Sequence, residues 1–204
     1  NYLNFHAKRY EALIEKLKEI KSSKSGVNIQ ILDVGPSFFT ELLIDNFKND
    51  AISALGFPAE DKYRGGHLPE CINLGKLTKF YELDLNQSKE DKLLGIAKFD
   101  IIILAEVLEH LCAPPEVVLG FLRGLMVDNG YLIIQTPNAV AIDKRVAMLR
   151  GINPFEKIRQ DNSNPGHFRE YTTSELLETV KQLGFCVISL DYYNNPAPKP
   201  EGLK

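Results

Sequence analysis

The sequence has few of the features that mark several large classes of protein. Its three cysteines, Cys71, Cys112 and Cys186, lie far apart and show no C-x-x-C spacing. Zinc sites and disulfide frameworks need paired cysteines, so neither is predicted, no metal site is expected, and a reducing, cytoplasmic setting fits better. No apolar run approaches the roughly 18–20 residues that cross a bilayer, so no membrane span is expected.

A strong charge of one sign is absent as well. The 204 residues include 24 Lys and Arg against 27 Asp and Glu, which gives a net charge of −3 at pH 7. Such a chain has no basic field for nucleic acid, so no nucleic-acid partner is expected. With 44% apolar and 25% charged residues, the composition suits one globular domain over residues 1–204. The proline-containing end, residues 194–204, is expected to be a flexible tail, and the oligomeric state is left open.

Apolar periodicity predicts alternating helices and strands. Apolar side chains in steps of three and four predict an N-terminal helix within residues 1–25. Short apolar runs predict strands at 27–34, 51–57, 80–85, 99–104, 131–135 and 185–190. Helical patterns lie at 40–47, 115–126 and about 172–183, and Asn129-Gly130 predicts a turn. This order predicts an α/β fold, with a doubly wound, mostly parallel sheet and helices on both faces.

In such a sheet, ligands bind beyond the carboxyl ends of the strands. The segments expected there are Gly35-Pro36-Ser37, Phe57-Pro58, Asp84-Leu85, Ala105-Glu106 and Thr136-Pro137-Asn138. Asp84 and Glu106 could each be an ordinary loop or capping acid. Together at these strand ends they favour a nucleoside-type cofactor, because a carboxylate accepts hydrogen bonds from such a group.

Three blocks of sequence, in this order, resemble class I S-adenosylmethionine-dependent methyltransferases of the small-molecule type. The strongest is 99–111, which contains Ala-Glu-Val-Leu-Glu-His-Leu, and the second is 125–138, which ends in Thr-Pro-Asn. The third is 167–172, His-Phe-Arg-Glu-Tyr-Thr, which resembles methyltransferases associated with sugar, polysaccharide and quinone-like substrates. The resemblance covers residues 29 to about 190 and implies a Rossmann-like methyltransferase fold.

The resemblance implies that S-adenosylmethionine is the cofactor and that a small molecule is the substrate. In this family pattern Asp33 and Gly35 begin the cofactor loop, Asp84 reaches the adenine amine, and the Leu85 backbone reads a ring nitrogen. Ala105 and Glu106 line the pocket beside the sulfonium. The complete set of expected cofactor contacts is Asp33, Gly35, Pro36, Ser37, Phe57, Asp84, Leu85, Ala105 and Glu106.

The expected reaction is methyl transfer to a hydroxyl on a sugar-like or other polar metabolite. A hydroxyl has to lose its proton, and a histidine that titrates near neutral pH suits that task. His167, at the end of a lid-like insertion expected over 139–168, is the first candidate, and His110 is the second. The alternative for His167 is a structural hydrogen bond to a loop carbonyl, and for His110 it is to fix the start of a helix.

The sequence departs from the family pattern at two places. Ser37 and Phe39 stand where the first loop usually has glycines, and Gly56-Phe57-Pro58 follows the second strand where an acid is usual. These departures motivate a second hypothesis, a methyltransferase-like binding or scaffolding domain with weakened or lost cofactor binding. A nicotinamide-dependent dehydrogenase is disfavoured, because no G-x-G-x-x-G follows the first strand.

Overall fold

The computed structural model describes residues 2–24, 28–57, 73–88, 93, 95–160 and 166–193. The chain divides into two compact units, one formed by residues 28–187 and a smaller one formed by residues 1–27 and 188–204. The larger unit contains the sheet and the candidate site. His67, most of the predicted loop that follows the second strand and the tail from residue 194 lie outside the described residues.

The order of helices and strands follows the sequence prediction closely. The strands are β1 (Gln30–Val34), β2 (Ala51–Gly56), β3 (Lys79–Glu82), β4 (Phe99–Ala105) and β5 (Met126–Gln135). The helices are α1 (Tyr2–Ser23), α2 (Phe38–Asn46), α3 (Pro115–Gly124), α4 (Ile142–Leu149) and α5 (Thr173–Gln182). Single 3-10 turns lie at Leu74–Lys76, Leu85–Gln87 and Leu108–His110.

The five strands form one sheet in the order β3-β2-β1-β4-β5, and every pair of neighbours is parallel. β1 lies at the centre, where Val34 is paired with both Leu55 and Leu104. Each strand is joined to the next by a connection long enough to return to the same end of the sheet, as parallel pairing requires. The predicted α/β fold with a parallel sheet is therefore confirmed.

The core lies on both faces of the central strands. Leu32 and Ile102 are fully buried, and they belong to one apolar cluster with Leu119 and Leu122 of α3. Burying a leucine or isoleucine side chain contributes about 1.5–3 kcal/mol relative to leaving it exposed. This packing fixes the strands, and with them the positions at which their carboxyl ends stop.

β5 starts earlier than predicted and contains an irregularity. The helix expected to continue to Met126 ends at Gly124, and Met126 is already paired with Phe99. The next pair is Ile101 with Tyr131, so extra residues of β5 bulge out where the sequence predicts a turn. Gly130 fits there because a Cβ at this position would lie 3.0 Å from the Val127 carbonyl oxygen.

The strand predicted over residues 185–190 is wrong, since these residues have no regular structure. Gly184, with φ of +79°, follows the end of α5, and beyond it Val187, Ile188 and Leu190 are 40%, 74% and 51% exposed. Among the described residues, β5 has a strand on one side only. An apolar run without a neighbouring strand has no backbone partners, and its composition alone cannot make it a strand.

The predicted N-terminal helix is confirmed as α1, and Tyr10, Leu13 and Leu17 on one of its faces are buried. In the part of the chain that the structure describes, none of the helices combines the length and the apolar character needed to cross a bilayer.

Candidate functional site

The carboxyl ends of the strands lie at one edge of the sheet, and the backbone pairing continues just beyond them. The Gly35 amide donates to the Leu55 carbonyl at 2.9 Å, and the Glu106 amide donates to the Gln135 carbonyl at 2.8 Å. Along this edge the predicted site residues are, in spatial order, Asp84 and Leu85 beyond β3, Phe57 beyond β2, Asp33 to Ser37 at the end of β1, and Ala105 and Glu106 at the end of β4. The structure thus brings the predicted segments together, while their contacts with a cofactor stay predictions.

The loop after β1 needs glycine at one position only. Gly35 has φ of +76°, and a Cβ built there would lie 2.4 Å from Val107 Cγ2. Both the left-handed backbone and the close approach of Val107 exclude a side chain at this position. Ser37 is different, because its φ of −147° is extended and open to any residue. Serine can therefore replace the usual glycine at position 37 without backbone strain.

Ser37 has a structural role that glycine could not perform. It is the N-cap of α2, where its hydroxyl accepts from the Phe39 amide at 3.2 Å. Thr40 completes the arrangement, since its hydroxyl accepts from the Ser37 amide at 2.8 Å and donates to Asp33 Oδ2 at 2.6 Å. Phe39 lies within α2 and is 2% exposed. The two substitutions in the first loop thus belong to the start of a helix.

Asp33, near the end of β1, is linked through Thr40 to the loop that follows this strand. It is 2% exposed, and burial raises its pKa to about 7, an effect that the hydrogen bond from Thr40 partly offsets. The carboxyl group therefore holds Thr40 and, through it, Ser37. The structure thus shows that Asp33 helps to fix the conformation of the loop after β1. Its contact with the methionine part of a cofactor stays a prediction.

Pro36 and Asp84 are held in place by local contacts. A Cβ at Gly56 would lie 2.9 Å from Pro36 Cδ, so Pro36 packs against the end of β2. Asp84 caps the turn Leu85–Gln87 and accepts from the Asn86 amide at 2.9 Å. β3 ends earlier than predicted, at Glu82, and leaves Asp84 half-buried at the edge of the sheet.

Glu106 follows β4 with φ of +56°, a conformation that residues other than glycine rarely adopt. Backbone strain of this kind is concentrated at functional sites, where the surrounding structure enforces it. The Glu106 amide is held at this position by its hydrogen bond to the Gln135 carbonyl.

Glu109 is a further candidate site residue, which the sequence alone did not single out. It is 0% exposed, and its Oε2 atom accepts from Thr136 Oγ1 at 3.0 Å. Its Oε1 atom is buried without a hydrogen-bond partner among the described residues. Burial, and then the nearby charge of Glu106, raise the pKa of Glu109 to about 7. The available signal was an acid and a histidine flanked by two leucines, in Leu108-Glu109-His110-Leu111.

The two candidate histidines lie side by side. Their rings meet edge to face, with centroids 4.8 Å apart. His110 Nδ1 lies 2.9 Å from the Gly166 carbonyl oxygen, and His167 Nδ1 lies 3.1 Å from Glu170 Oε1. A carbonyl or carboxylate oxygen accepts, so each Nδ1 donates and the lone pair of each neutral ring is on Nε2. For His110 the structure thus shows the structural bond to a loop carbonyl that was expected as the alternative for His167.

The surroundings act on the two rings in opposite directions. Burial lowers the pKa of His110, whereas the hydrogen bond with Glu170 raises the pKa of His167. For Glu170 itself burial raises the pKa, but the hydrogen bonds from His167 and Lys144 outweigh burial and lower it. Lys144 belongs to α4, in the predicted lid, and forms an ion pair with Glu170.

Backbone contacts hold these groups together. The Phe168 amide donates to the Glu109 carbonyl at 2.8 Å, and the Ala139 amide donates to the Tyr171 carbonyl at 3.0 Å. As a result Glu109, His110 and His167 each offer a ligand atom within 4.8 Å of the other two. This set, named here the Glu-His-His cluster, is the group in the described residues that could hold a metal ion.

Comparison with known proteins gives one family. Residues 5–190 match the family model described as "Methyltransferase domain". No curated protein matches the chain.

Solved structures with a similar fold include a SAM dependent methyltransferase from Archaeoglobus fulgidus, with 19% identity, 91% of this chain and 75% of that chain covered, and a TM-score of 0.55. Magnesium protoporphyrin IX methyltransferase from Synechocystis PCC 6803, with bound SAH, has 16% identity, the same coverages and a TM-score of 0.57. The plantazolicin methyltransferase BamL, in complex with a triazolic desmethylPZN analog and SAH, has 13% identity, coverages of 90% and 66%, and a TM-score of 0.58. The chain spans a smaller share of some other matches: it covers 55% of the length of an O-methyltransferase family protein from Burkholderia thailandensis. At these identities the likeness is one of fold.

Proposed function

This chain belongs to the methyltransferase domain family, and we propose that it transfers a methyl group from S-adenosylmethionine to a hydroxyl oxygen of a small polar acceptor. The S-adenosylmethionine-dependent methyltransferase that the sequence motifs indicate is confirmed by the family match and by the parallel sheet. The acceptor and the roles of individual residues are the proposal.

The observation that supports the cofactor site is the left-handed turn at Gly35, in the middle of the sheet edge, where the chain passes from β1 towards the start of α2. Val107 occupies the space that a side chain at position 35 would take, so the course of this turn is fixed. The half-buried Asp84 lies beyond β3, where its carboxylate suits the exocyclic amine of adenine. The residues present therefore fit a nucleoside cofactor. When bound, S-adenosylmethionine supplies the electrophilic methyl group.

A hydroxyl acceptor is favoured because the Glu-His-His cluster offers what a hydroxyl needs. An uncharged amine attacks with its own lone pair, whereas a hydroxyl gains nucleophilicity when a base takes its proton. We assign the proton-accepting role to His167 Nε2, which the hydrogen bond from Nδ1 to Glu170 keeps in the correct tautomer. His110 then confines the acceptor from the neighbouring side.

Two of the departures that motivated a cofactor-free scaffolding domain, Ser37 and Phe39, have local explanations. Ser37 caps α2, and Phe39 is one of the buried residues of that helix. The backbone conformation at positions 37 and 39 does not require glycine. Ser37 and Phe39 therefore give no reason to expect that the cofactor site is lost.

Titration calorimetry with S-adenosylmethionine and S-adenosylhomocysteine tests the cofactor site. At about 100 times Kd, ligand binding should stabilise the fold by roughly 2.7 kcal/mol, which a thermal shift detects. Asp84→Asn keeps a capping side chain but removes the charge, and we expect it to weaken binding on the order of tenfold. Glu82→Gln, at the exposed end of β3, is the matched control. No heat and no thermal shift with millimolar ligand would overturn the proposal.

Transfer of labelled methyl groups to a panel of small hydroxyl and amine compounds tests the acceptor class. We expect label on a hydroxyl compound and about a 100-fold or greater loss of kcat in His167→Gln, with unchanged affinity for S-adenosylhomocysteine. Label found only on amines would contradict a hydroxyl acceptor.

A further inference from the structure

We infer that Glu109, His110 and His167 bind one divalent transition-metal cation, through Glu109 Oε1 and the Nε2 atoms of the two histidines. This departs from the sequence-based expectation of no metal site, which rested on the spacing of the cysteines. The binding claim stands on the geometry of the cluster alone and is independent of the proposed methyl transfer.

Glu109 is the first part of the case. Its side chain is completely buried, and Oε1 has no hydrogen-bond partner among the described residues. A buried carboxylate oxygen without a partner loses its hydration with nothing in exchange, which is costly. Thr136 holds the other oxygen at 3.0 Å and so fixes the direction in which Oε1 points. The unsatisfied atom belongs to the group whose ligand atoms converge with those of His110 and His167.

The histidines supply independent evidence through their outer contacts. A histidine that ligates a metal almost always donates its other ring N–H to a backbone carbonyl or a carboxylate. His110 donates to the Gly166 carbonyl and His167 donates to the Glu170 carboxylate. Both rings therefore have the tautomer in which Nε2 can ligate, and no hydrogen bond from the described part of the chain uses either Nε2 atom.

The distances suit a cation after a small adjustment. The three ligand atoms lie within 4.8 Å of one another, and bonds of about 2.0–2.2 Å to a metal place neighbouring ligands roughly 3–4 Å apart. A pair of ligand atoms at the upper end of this range would have to move closer by about 1 Å to bind the same cation.

The ligand types indicate which cation. Two imidazoles and one carboxylate, without thiolate, suit Zn²⁺, Fe²⁺, Co²⁺ or Mn²⁺ better than Ca²⁺ or Mg²⁺, which prefer oxygen ligands throughout. Glu106 increases the local negative charge, since its carboxylate acts on both Glu109 and His110. Three protein ligands leave positions open for water or for an oxygen atom of a substrate.

One consequence rests on the proposed function. A bound cation occupies the lone pair that His167 would use as a base. The acceptor hydroxyl would then bind the cation in an open position, which lowers its pKa so that it releases its proton to solvent. The substrate class becomes a compound with an oxygen that can coordinate a metal, such as one of two adjacent hydroxyls.

Cobalt provides a direct test on the full chain after treatment with a chelator. Titration with Co²⁺ should give visible absorption bands that saturate at one equivalent. Glu109→Gln, His110→Gln and His167→Gln should each weaken binding by at least tenfold. The controls are Glu178→Gln, an exposed carboxyl of α5, and His6→Gln in α1, and both should bind as the parent does. Equal binding by the three cluster variants, or no saturable binding, would overturn the proposal.

A measurement on the unmutated chain covers the case in which a variant fails to fold. In proton spectra, Co²⁺ should strongly shift or broaden the ring signals of at least two histidines. An effect on only one histidine, or on none, would contradict the site.

The two proposals can fail separately. Cobalt binding without methyl transfer to any hydroxyl compound would uphold the cation site and contradict the proposed acceptor. Methyl transfer that is indifferent to chelation, together with no saturable cobalt binding, would contradict the cation site and leave His167 as the base.

Discussion

Gly35 and Val107 bring the loops after the two central strands into direct contact. A Cβ at position 35 would lie 2.4 Å from Val107 Cγ2, and the glycine also has φ of +76°. Two constraints therefore require glycine at position 35: the left-handed backbone and the contact with Val107. Substitutions at positions 35 and 107 can measure their separate contributions to stability.

Gly35→Ala should lower the free energy of unfolding by more than about 1 kcal/mol, because both the left-handed backbone and the contact with Val107 disfavour a methyl group. Val107→Ala removes the clashing Cγ2 atom, so the double variant should recover part of this loss but not the part due to backbone conformation. Denaturant unfolding of the four proteins measures the coupling, expected at about 0.5–3 kcal/mol. Strictly additive losses would contradict a contact at this place.

Asp33→Asn should change the pH dependence of stability. Burial raises the pKa of Asp33 in the folded chain from 3.8 to about 7. Between these values the folded chain keeps a proton that the unfolded chain has lost, so this group makes the free energy of unfolding fall as pH rises, until the fall ends near pH 7. Asparagine can still accept from Thr40 but has no charge to bury.

The melting temperature of Asp33→Asn relative to the parent should therefore rise between about pH 4 and pH 7 and then level off. Asp45→Asn, an exposed acid of α2, shows the general effect of removing a negative charge from this region. Parent and Asp33→Asn curves that stay parallel across this range would show that burial does not perturb the carboxyl.

Gly130 and Gly120 should respond to alanine in opposite ways. A Cβ at Gly130 would lie 3.0 Å from the Val127 carbonyl oxygen and 3.3 Å from those of Phe99 and Asp100, all of them backbone atoms. Gly130→Ala should destabilise the fold by about 1–3 kcal/mol. Gly120 is inside α3, and its new Cβ would make an ordinary contact with Leu183 at 3.7 Å.

Gly120→Ala should therefore stabilise the fold by about 0.5–1 kcal/mol, since alanine loses less entropy in a helix. Thermal unfolding of both variants against the parent checks the pair. A neutral Gly130→Ala would show that the bulge of β5 relaxes easily.

Thr172→Ala should cost about 0.5–2 kcal/mol through the start of α5. The hydroxyl of Thr172 accepts from the Glu175 amide at 3.2 Å, while Glu175 accepts from the Thr172 amide at 2.8 Å. Thr172→Ser keeps the hydroxyl and should cost much less. Chemical denaturation ranks the three proteins, and equal losses for alanine and serine would place the effect in the methyl group instead of the cap.

The strands were predictable where an apolar run coincides with burial, and the start of α5 can be recognised from local capping chemistry. Phe99 to Leu104 is an uninterrupted apolar run that suits a strand covered on both faces, and Thr172 with Glu175 is a recognisable capping pair. Residues 185–190 have a similar composition, but whether they pair depends on a neighbouring strand. No property of that segment itself contains this information.

The candidate site divides along the same line. The strand ends could be located because parallel pairing places them at one edge of the sheet. Glu109 could not, since the surroundings of its buried carboxylate depend on Thr136 and His167, which are distant from it in sequence. From the sequence, Ser37 was compared with the glycine that the family pattern has at this position. Its extended φ and its capping hydrogen bond show instead that it begins α2.

Lys144 and His167 share the carboxylate of Glu170. Lys144 is on α4, a helix with no buried residue in the predicted lid, while His167 belongs to the Glu-His-His cluster. A displacement of α4 that pulled Lys144 away would remove one of the two contacts of the Glu170 carboxylate and leave its hydrogen bond with His167, and so would alter how firmly the ring is oriented. In the proposed reaction, an acceptor that displaced α4 as it entered would therefore also change the orientation of His167, through the Glu170 side chain that Lys144 and His167 share.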